Sequence, residues 1–191
     1  MVGTLSTTDV TPGDSFTYSL VSGTGSTDNA SFTINGNSLE LNVVPNFETK
    51  TSYTVRVRTT DAGGLFFEKA FTITITNVNE APVITSGSTG TVAENAVIST
   101  VIYSATSTDV DARATVTYSI KPSVGDAGLV SIDATTGAVT LLASANFEVK
   151  SSYTFTVVAT DNGTLTAEKV VTVTELLQNS NLDCKYRLFS I

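Results

Sequence analysis

The chain lacks histidine, the side chain that enzymes most often use for general acid–base catalysis. None of its 191 residues is histidine, tryptophan is also absent, and the single cysteine is Cys184. The absence of histidine excludes serine–histidine and cysteine–histidine catalysis, together with every zinc site that uses an imidazole ligand. One cysteine excludes a disulfide within the chain. We therefore expect a protein that is not an enzyme.

Basic residues are also scarce. The chain has 10 lysine and arginine residues against 18 aspartate and glutamate residues, which gives a net charge of −8. A nucleic-acid partner requires a basic surface, so none is expected, whereas cation binding fits the sign of the charge. No apolar run approaches the roughly 20 residues that cross a bilayer, which predicts no membrane span in this chain.

The residues that are abundant favour β-structure. Threonine occurs 34 times, with many Val, Ile, Tyr and Phe residues, and these residue types are enriched in strands. In 52–60, Tyr53, Val55 and Val57 alternate with polar residues, and 152–160 repeats the pattern. Alternation with period two is typical of strands that bury one face.

The same segment occurs twice, 100 residues apart. PNFETKTSYTVRVRTTDAG at 45–63 returns as ANFEVKSSYTFTVVATDNG at 145–163. An ungapped comparison of 8–76 with 108–176 gives 25 identities in 69 positions. Two copies of one domain are therefore predicted, each an antiparallel Greek-key β-sandwich of short strands. In the first copy we expect strands near 16–20, 30–34, 38–43, 52–60 and 66–76. In the strand at 38–43, Leu39, Leu41 and Val43 are expected to face the same side. Their counterparts in the second copy are Val139, Leu141 and Ala143.

The two copies are expected to differ at their beginnings, because fewer residues precede the repeated segment in the first copy than in the second. The alignment pairs 1–8 with 101–108, so the first copy lacks its opening strand. We expect repeat 1 at 1–79, repeat 2 at 80–176, and a non-repeat tail at 177–191.

Acidic and amide residues concentrate near the junction of the two copies and in turns of the second. They occur in the segments NFE, NVNEAP, DVD and TDNG, at 46–48, 77–82, 109–111 and 160–163. With AEN at 93–95, a second NFE at 146–148 and TDAG at 60–63, these segments resemble the motifs of the cadherin repeat, especially its bacterial cadherin-like form. The resemblance covers nearly all of 8–176 and implies a β-sandwich fold, an extracellular location and calcium. Its calcium ligands would fall on Glu48, Asn77, Asn79, Glu80, Asp109, Asp111 and Asp161.

The chemistry of these side chains agrees with calcium. Ca²⁺ takes six to eight oxygen ligands, and five carboxylates with two carboxamides could hold one or two ions. The family has Asp where this chain has Asn46 and Asn77, so we expect weaker binding than at a full site. Sites at the two ends of the chain are expected to be inactive. Asp109–Asp111 and Asp161–Gly163 also fit ordinary turns, and this alternative stays open.

The tail has a strand-like pattern of its own. Leu182, Cys184, Tyr186 and Leu188 alternate with Asp183, Lys185 and Arg187. A domain without its opening strand leaves an open sheet edge, and the tail of one chain could add a strand to the next. Repetition of that contact would build a filament.

Three functions are thus under consideration. The first is a calcium-dependent, rigidified tandem module of an extracellular adhesin or cell-surface protein, whose partners are other protein chains or a cell-surface ligand. The second is a structural subunit that polymerises by donor-strand exchange between the tail and the incomplete first domain. The third, a carbohydrate-binding module, is disfavoured because the exposed aromatic candidates are limited to Phe66 and Phe67.

Overall fold

The computed structural model describes residues 1–10 and 13–177. The chain divides into two compact units, Met1–Val78 and Asn79–Ile191. The expected tail residues Leu182, Cys184, Tyr186 and Leu188 lie outside the described residues. The assignment of each unit to one repeat, with the boundaries predicted above, stays a prediction.

The first unit contains two three-stranded sheets. One sheet has the strand order β1-β4-β3 and the other the order β2-β5-β6. All of their strand pairs are antiparallel. The strands are β1 Gly3–Thr4, β2 Phe16–Leu20, β3 Phe32–Asn35, β4 Ser38–Leu41, β5 Ser52–Asp61 and β6 Phe66–Thr74, with a short 3₁₀ helix at Asn29–Ser31.

The second unit repeats this plan and adds strands. Its sheets have the orders β12-β13-β9 and β11-β14-β15-β8, and β10 pairs separately with β7. The pairs are antiparallel except for β15 with β8, which is parallel. The strands are β7 Val83–Ile84, β8 Thr89–Ala93, β9 Val101–Ser104, β10 Ser107–Thr108, β11 Val116–Ile120, β12 Val130–Ile132, β13 Ala138–Leu141, β14 Ser152–Asp161 and β15 Thr166–Leu176, with a 3₁₀ helix at Ala127–Leu129.

Each unit has its own hydrophobic core between its sheets. In the first unit, Tyr53, Val55 and Val57 of β5 face Phe32 and Leu39 of the opposite sheet. The corresponding face of β14 is buried in the second unit, which has the larger core cluster. The alternation in the sequence therefore predicted the inward faces of both long strands correctly.

The prediction was wrong at the ends of two strands. Strands β4 and β13 end at Leu41 and Leu141, so Val43 and Ala143 are exposed rather than inward-facing. The chain turns after these leucines, and the alternation that continues in the sequence no longer lies on a strand.

The ungapped alignment of the two copies is also wrong over one stretch. Asp28 accepts a hydrogen bond from the Thr54 N–H and forms an ion pair with Lys50. Asp126 makes the same two contacts with the Thr154 N–H and with Lys150. The equivalent aspartates are therefore 98 residues apart, not 100. A loop before Asp28 is two residues longer, and the β3–β4 hairpin is two residues shorter than its β12–β13 counterpart. The two differences cancel, which hides them from an ungapped comparison.

Within residues 1–10 and 13–78, no strand corresponds to β7 or β8. The first residues form β1, which pairs with β4 as β9 pairs with β13. Strand β6 consequently has β5 on one side only, whereas β15 has β14 and β8 on its two sides.

Candidate metal site in the second unit

Two aspartates in the turn after β10 form the first part of the site. Asp109 Oδ1 accepts a 2.9 Å hydrogen bond from the Asp111 N–H, which is the bond of an Asx turn. Asp111 Oδ2 accepts a 2.8 Å hydrogen bond from the Glu80 N–H. The backbone just before β7 is thereby attached to the acidic turn.

Asp161, at the end of β14, is attached to the same segment before β7 through Asn79. The Asp161 side chain is buried, with 5% of its surface exposed. Its Oδ1 accepts the Leu165 N–H at 2.8 Å, and its Oδ2 accepts the Asn79 amide Nδ2 at 2.8 Å. In the same turn, Asn162 Oδ1 accepts the Thr115 N–H at 3.1 Å. The β14–β15 turn is therefore attached both to Asn79 and to the loop before β11.

Gly163 permits the close approach of Asn79. A Cβ atom at position 163 would lie 2.5 Å from Asn79 Oδ1, closer than nonbonded atoms can approach without a shift of one of them. A side chain at this position would push the amide of Asn79 away from Asp161. Sequence reasoning treated this glycine only as a turn residue.

One carboxylate oxygen of the turn formed by Asp109 and Asp111 has no hydrogen-bond partner among the described residues. Asp109 Oδ2 is buried and makes no hydrogen bond within residues 1–10 and 13–177. A buried carboxylate oxygen without a donor carries a desolvation cost. A hard cation would remove that cost, and the donor set of carboxylates and one carboxamide consists of the oxygen ligands that Ca²⁺ prefers. The side chains of the second unit therefore fit calcium.

The remaining predicted ligands belong to the first unit. Glu48 lies in an exposed turn between β4 and β5, and Asn77 lies in the exposed segment after β6. Asn46, which stands where the family has Asp, accepts the Thr49 N–H through Oδ1 at 2.7 Å. The amide at position 46 thus stabilises the turn that carries Glu48.

Two other acidic groups were missed by sequence reasoning. In the first unit, carboxylate oxygens of Asp9, Asp14 and Asp61 lie within 4.8 Å of one another. Asp14 has no counterpart in the second copy, where Ala114 stands, so the repeat gave no signal for it.

The second missed group is Glu175, near the end of β15. Its side chain is 1% exposed, and its Oε1 has no hydrogen-bond donor among the described residues. Burial raises the pKa of the Glu175 carboxyl above its ordinary value, and the Glu94 and Glu148 carboxylates also raise it, while the hydrogen bond from Tyr153 opposes the shift. The apolar residue Ile75 at the equivalent position could have drawn attention to it.

Comparison with known domains agrees with this fold. Residues 88–175 match the model of the cadherin domain. These residues include β8 to β14 and nearly all of β15. The all-β sandwich fold predicted from the sequence is confirmed, because the chain matches solved cadherin domains over most of its length.

Particular relatives show how far the likeness extends. Human Protocadherin Fat 1 is 40% identical over 85 residues, which are 44% of this chain and 2% of that protein. The structure of human Protocadherin-24 EC1-2 has a TM-score of 0.69 at 20% identity and covers 92% of this chain and 88% of that one. The structure of Protocadherin Gamma B7 extracellular cadherin domains 1–4 has a TM-score of 0.60 at 22% identity. The match covers 89% of this chain and 41% of that one. The chain thus spans a small fraction of the curated relative and less than half of the Gamma B7 chain.

The described residues contain no helix that is long and apolar enough to cross a membrane.

Proposed function

We propose that the chain is a calcium-dependent tandem module of an extracellular adhesin or cell-surface protein, where it mediates adhesion or spacing. The observation that carries the proposal is the buried Oδ2 of Asp109, which has no hydrogen-bond partner among the described residues and lies in the Asx turn that Asp109 forms with Asp111. The match of residues 88–175 to the cadherin domain supports it. Partners of the module would be other protein chains or a ligand on a cell surface.

In this proposal the ion is held by Asp109, Asp111, Asp161, Asn79 and Glu80 of the second unit, with Glu48 and Asn77 added from the first. Two carboxylates about 4 Å apart repel by about 4 kcal/mol at an effective dielectric constant of 20. A bound divalent cation cancels that repulsion. Ligands contributed by both units would restrict the movement of one unit against the other, which gives the spacing function its physical basis.

Calorimetric titration of the whole chain with calcium tests the proposal at its central residue. Asp109→Asn keeps an oxygen for the Asp111 N–H but removes one charge and weakens one ligand. We expect calcium affinity to fall by at least about tenfold, since ligand charge is a main determinant of calcium affinity.

Asp133→Asn is the matched control for that titration. Asp133 also lies in a turn of the second unit, where its Oδ1 accepts the N–H groups of Thr135 and Thr136. This variant should bind calcium as the unmodified chain does. Equal loss of affinity in both variants, or no calcium binding by the unmodified chain, would contradict the proposal.

A structural subunit that polymerises by donor-strand exchange is the second candidate function. The observation that favours it is the open side of β6 in the first unit, where Phe66 and Phe67 are 60% and 67% exposed. The Arg58 guanidinium lies 4.2 Å from the centroid of the Phe66 ring and covers one face of that ring. The donor would be the tail that contains Leu182, Cys184, Tyr186 and Leu188.

Sedimentation velocity at rising protein concentration separates the two candidates. A filament subunit sediments faster as concentration rises, and removal of 178–191 abolishes the increase. A module that acts only through calcium sediments at a constant rate with or without those residues.

A further inference from the structure

The second unit shows what normally lies beside the strand that is open in the first. In the second unit, β7 pairs with β10 through Ser107 opposite Ile84 and Thr108 opposite Val83. Lys169 on β15 donates through Nζ to the carbonyl oxygens of Ile84 and Ser86, at 3.2 and 2.6 Å. An extended segment is thus held between β10 and β15 by a short ladder on one side and a lysine on the other.

The first unit has the two walls of this groove, and none of residues 1–10 and 13–78 forms a strand between them. Lys69 occupies the position of Lys169, because it lies opposite Val57 as Lys169 lies opposite Val157. Thr7 occupies the position of Ser107, since the hydroxyl of Tyr18 donates to Thr7 Oγ1 as the Tyr118 and Ser107 hydroxyls bond to each other. A groove of about 470 Å³ lies between these walls and is also lined by Phe67 and Phe71.

Lys69 has no acceptor in this groove. Within residues 1–10 and 13–177, its Nζ makes no hydrogen bond and instead lies 5.2 Å from the centroid of the Phe71 ring. The Nζ of its counterpart Lys169 donates hydrogen bonds to two backbone carbonyl oxygens. A backbone carbonyl is therefore the type of group that this lysine position binds when the groove is filled.

The inner face of β6 is also incompletely covered. Val171 and Val173 of β15 are fully buried, and Val173 is paired with Gly90 of β8. The equivalent Phe71 and Ile73 of β6 are only partly buried. Burial of apolar surface gives roughly 25 cal/mol per Å², so a strand that covers these residues would gain stabilisation.

We propose that this groove binds residues 178–191 of a second copy of the chain as an added β-strand, with Lys69 bound to its backbone carbonyl oxygens. This inference rests on the second candidate function and names the binding site and the contacts it would use. The segment has 14 residues, more than a typical strand of five to six needs, and it follows β15. Leu182, Cys184, Tyr186 and Leu188 share one side of an extended chain, as a strand with a single buried face requires.

Disulfide trapping in the full-length chain tests the site, because Cys184 is its only cysteine. If Cys184 takes the place of Ile84, Thr7→Cys would place a second thiol directly opposite it. Side chains opposite each other in a strand pair have Cβ atoms about 4.5–5.5 Å apart, close enough for a disulfide after a small shift. Ser107→Cys is the matched control, since β7 already occupies the equivalent groove of the second unit.

Under mild oxidation, Thr7→Cys should give disulfide-linked chains longer than a dimer, at least about tenfold more than Ser107→Cys gives. Adding Lys69→Met to Thr7→Cys should lower the trapped fraction by about tenfold, since a hydrogen bond to a charged group is lost. Equal trapping in Thr7→Cys and Ser107→Cys would overturn the proposal, as would disulfides formed only within one chain.

A measurement that does not depend on the register of the added strand accompanies the trapping. If Lys69→Met and removal of 178–191 each leave the sedimentation of the chain unchanged at high concentration, and Thr7→Cys forms no specific disulfide, the site is wrong. If Thr7→Cys is trapped specifically but the unmodified chain never associates beyond a dimer, the groove binds the segment and the filament function alone fails.

Discussion

Gly163 and Gly63 occupy equivalent turns, but their surroundings differ. A Cβ at position 63 would meet Asp61 Oδ1 at 3.4 Å, an ordinary contact, whereas at position 163 it would meet the Asn79 amide at 2.5 Å. Neither glycine has a φ in the left-handed region that favours glycine. The need for glycine at position 163 therefore comes from the side chain of Asn79.

Gly163→Ala should displace the Asn79 amide and weaken calcium binding by about tenfold, as the loss of groups that orient metal ligands commonly does. The free energy of unfolding should change by less than about 1 kcal/mol, because only a flexible side chain has to move. Calorimetric titration and chemical denaturation measure the two effects. Gly63→Ala serves as the control and should leave calcium affinity unchanged; equal affinities for the two variants would refute the role of Gly163.

Glu175 is a buried acid at a position where the first copy has the apolar residue Ile75. Its backbone N–H bonds to the Ser151 carbonyl as that of Ile75 bonds to Thr51, so the two positions are equivalent. Ile75 packs against the core of the first unit. Burial disfavours the charged form of Glu175, and both this burial and the neighbouring Glu94 and Glu148 carboxylates raise its pKa.

Glu175→Ile should raise the free energy of unfolding at pH 7 by about 1–3 kcal/mol, because a buried group without a full set of hydrogen bonds is removed. The folded pKa lies above the ordinary value of 4.5, so the cost of the acid is absent below that pH and appears as pH rises through the raised folded pKa. Chemical denaturation from pH 4.5 to 7.5 should show the gain growing with pH. A gain that does not depend on pH would indicate that packing, not charge, is responsible.

At the scale of single residues, the sequence indicated which residue types are candidate ligands, but it did not indicate which groups contact them in the folded protein. Asp109, Asp111, Asp161 and Asn79 were predicted from a family resemblance, and the structure places them within one unit. The unpartnered oxygen of Asp109 depends on which N–H groups reach it, and that follows from folded geometry alone. For the same reason, Glu175 on an alternating strand could not be distinguished from an exposed acid.

Strands β6 and β15 have similar sequences but different neighbours. The Thr172 N–H donates to the Ser88 carbonyl at the start of β8. Thr72 lies opposite Thr54 as Thr172 lies opposite Thr154, so the two amide groups point to the same side of their strands. Within the described residues of the first unit no strand occupies that side.

The Thr72 amide hydrogen should therefore exchange with solvent much faster than that of Thr172, by about a hundredfold or more, since protection requires a hydrogen bond that opens rarely. Hydrogen exchange followed by NMR on dilute protein measures both amides in one sample, and Thr172 is the internal control. Similar protection of the two amides would show that the open side of β6 is covered in solution.

At the scale of elements, most strands could be predicted because alternation and turn residues coincide. Strand β2 matches its predicted range, and β5 extends its predicted range by one residue. Parallel pairing of β8 with β15 was not foreseen, because the two strands lie far apart in the chain and no hairpin turn joins them. Compensating length changes around Asp28 and Asp126 were invisible to an ungapped alignment for the reason given above.

For the whole molecule, the decisive signal was the internal repeat. The repeat predicted two similar units, and the chain divides into two units at Val78 and Asn79. The resemblance to cadherin repeats predicted the fold, which the match at 88–175 and the solved structures support. A bacterial type of cadherin, a tandem arrangement of two cadherin repeats and the calcium dependence stay predictions.

Small-angle X-ray scattering of the full chain tests calcium-dependent rigidity most directly, with samples in calcium and in chelator and with Asp109→Asn measured beside them. Calcium should increase the maximum dimension and narrow the distribution of conformations of the unmodified chain, because repulsion among the carboxylates is neutralised. Asp109→Asn should scatter in calcium as the unmodified chain does in chelator. Identical scattering of the unmodified chain in calcium and in chelator would contradict the proposed function.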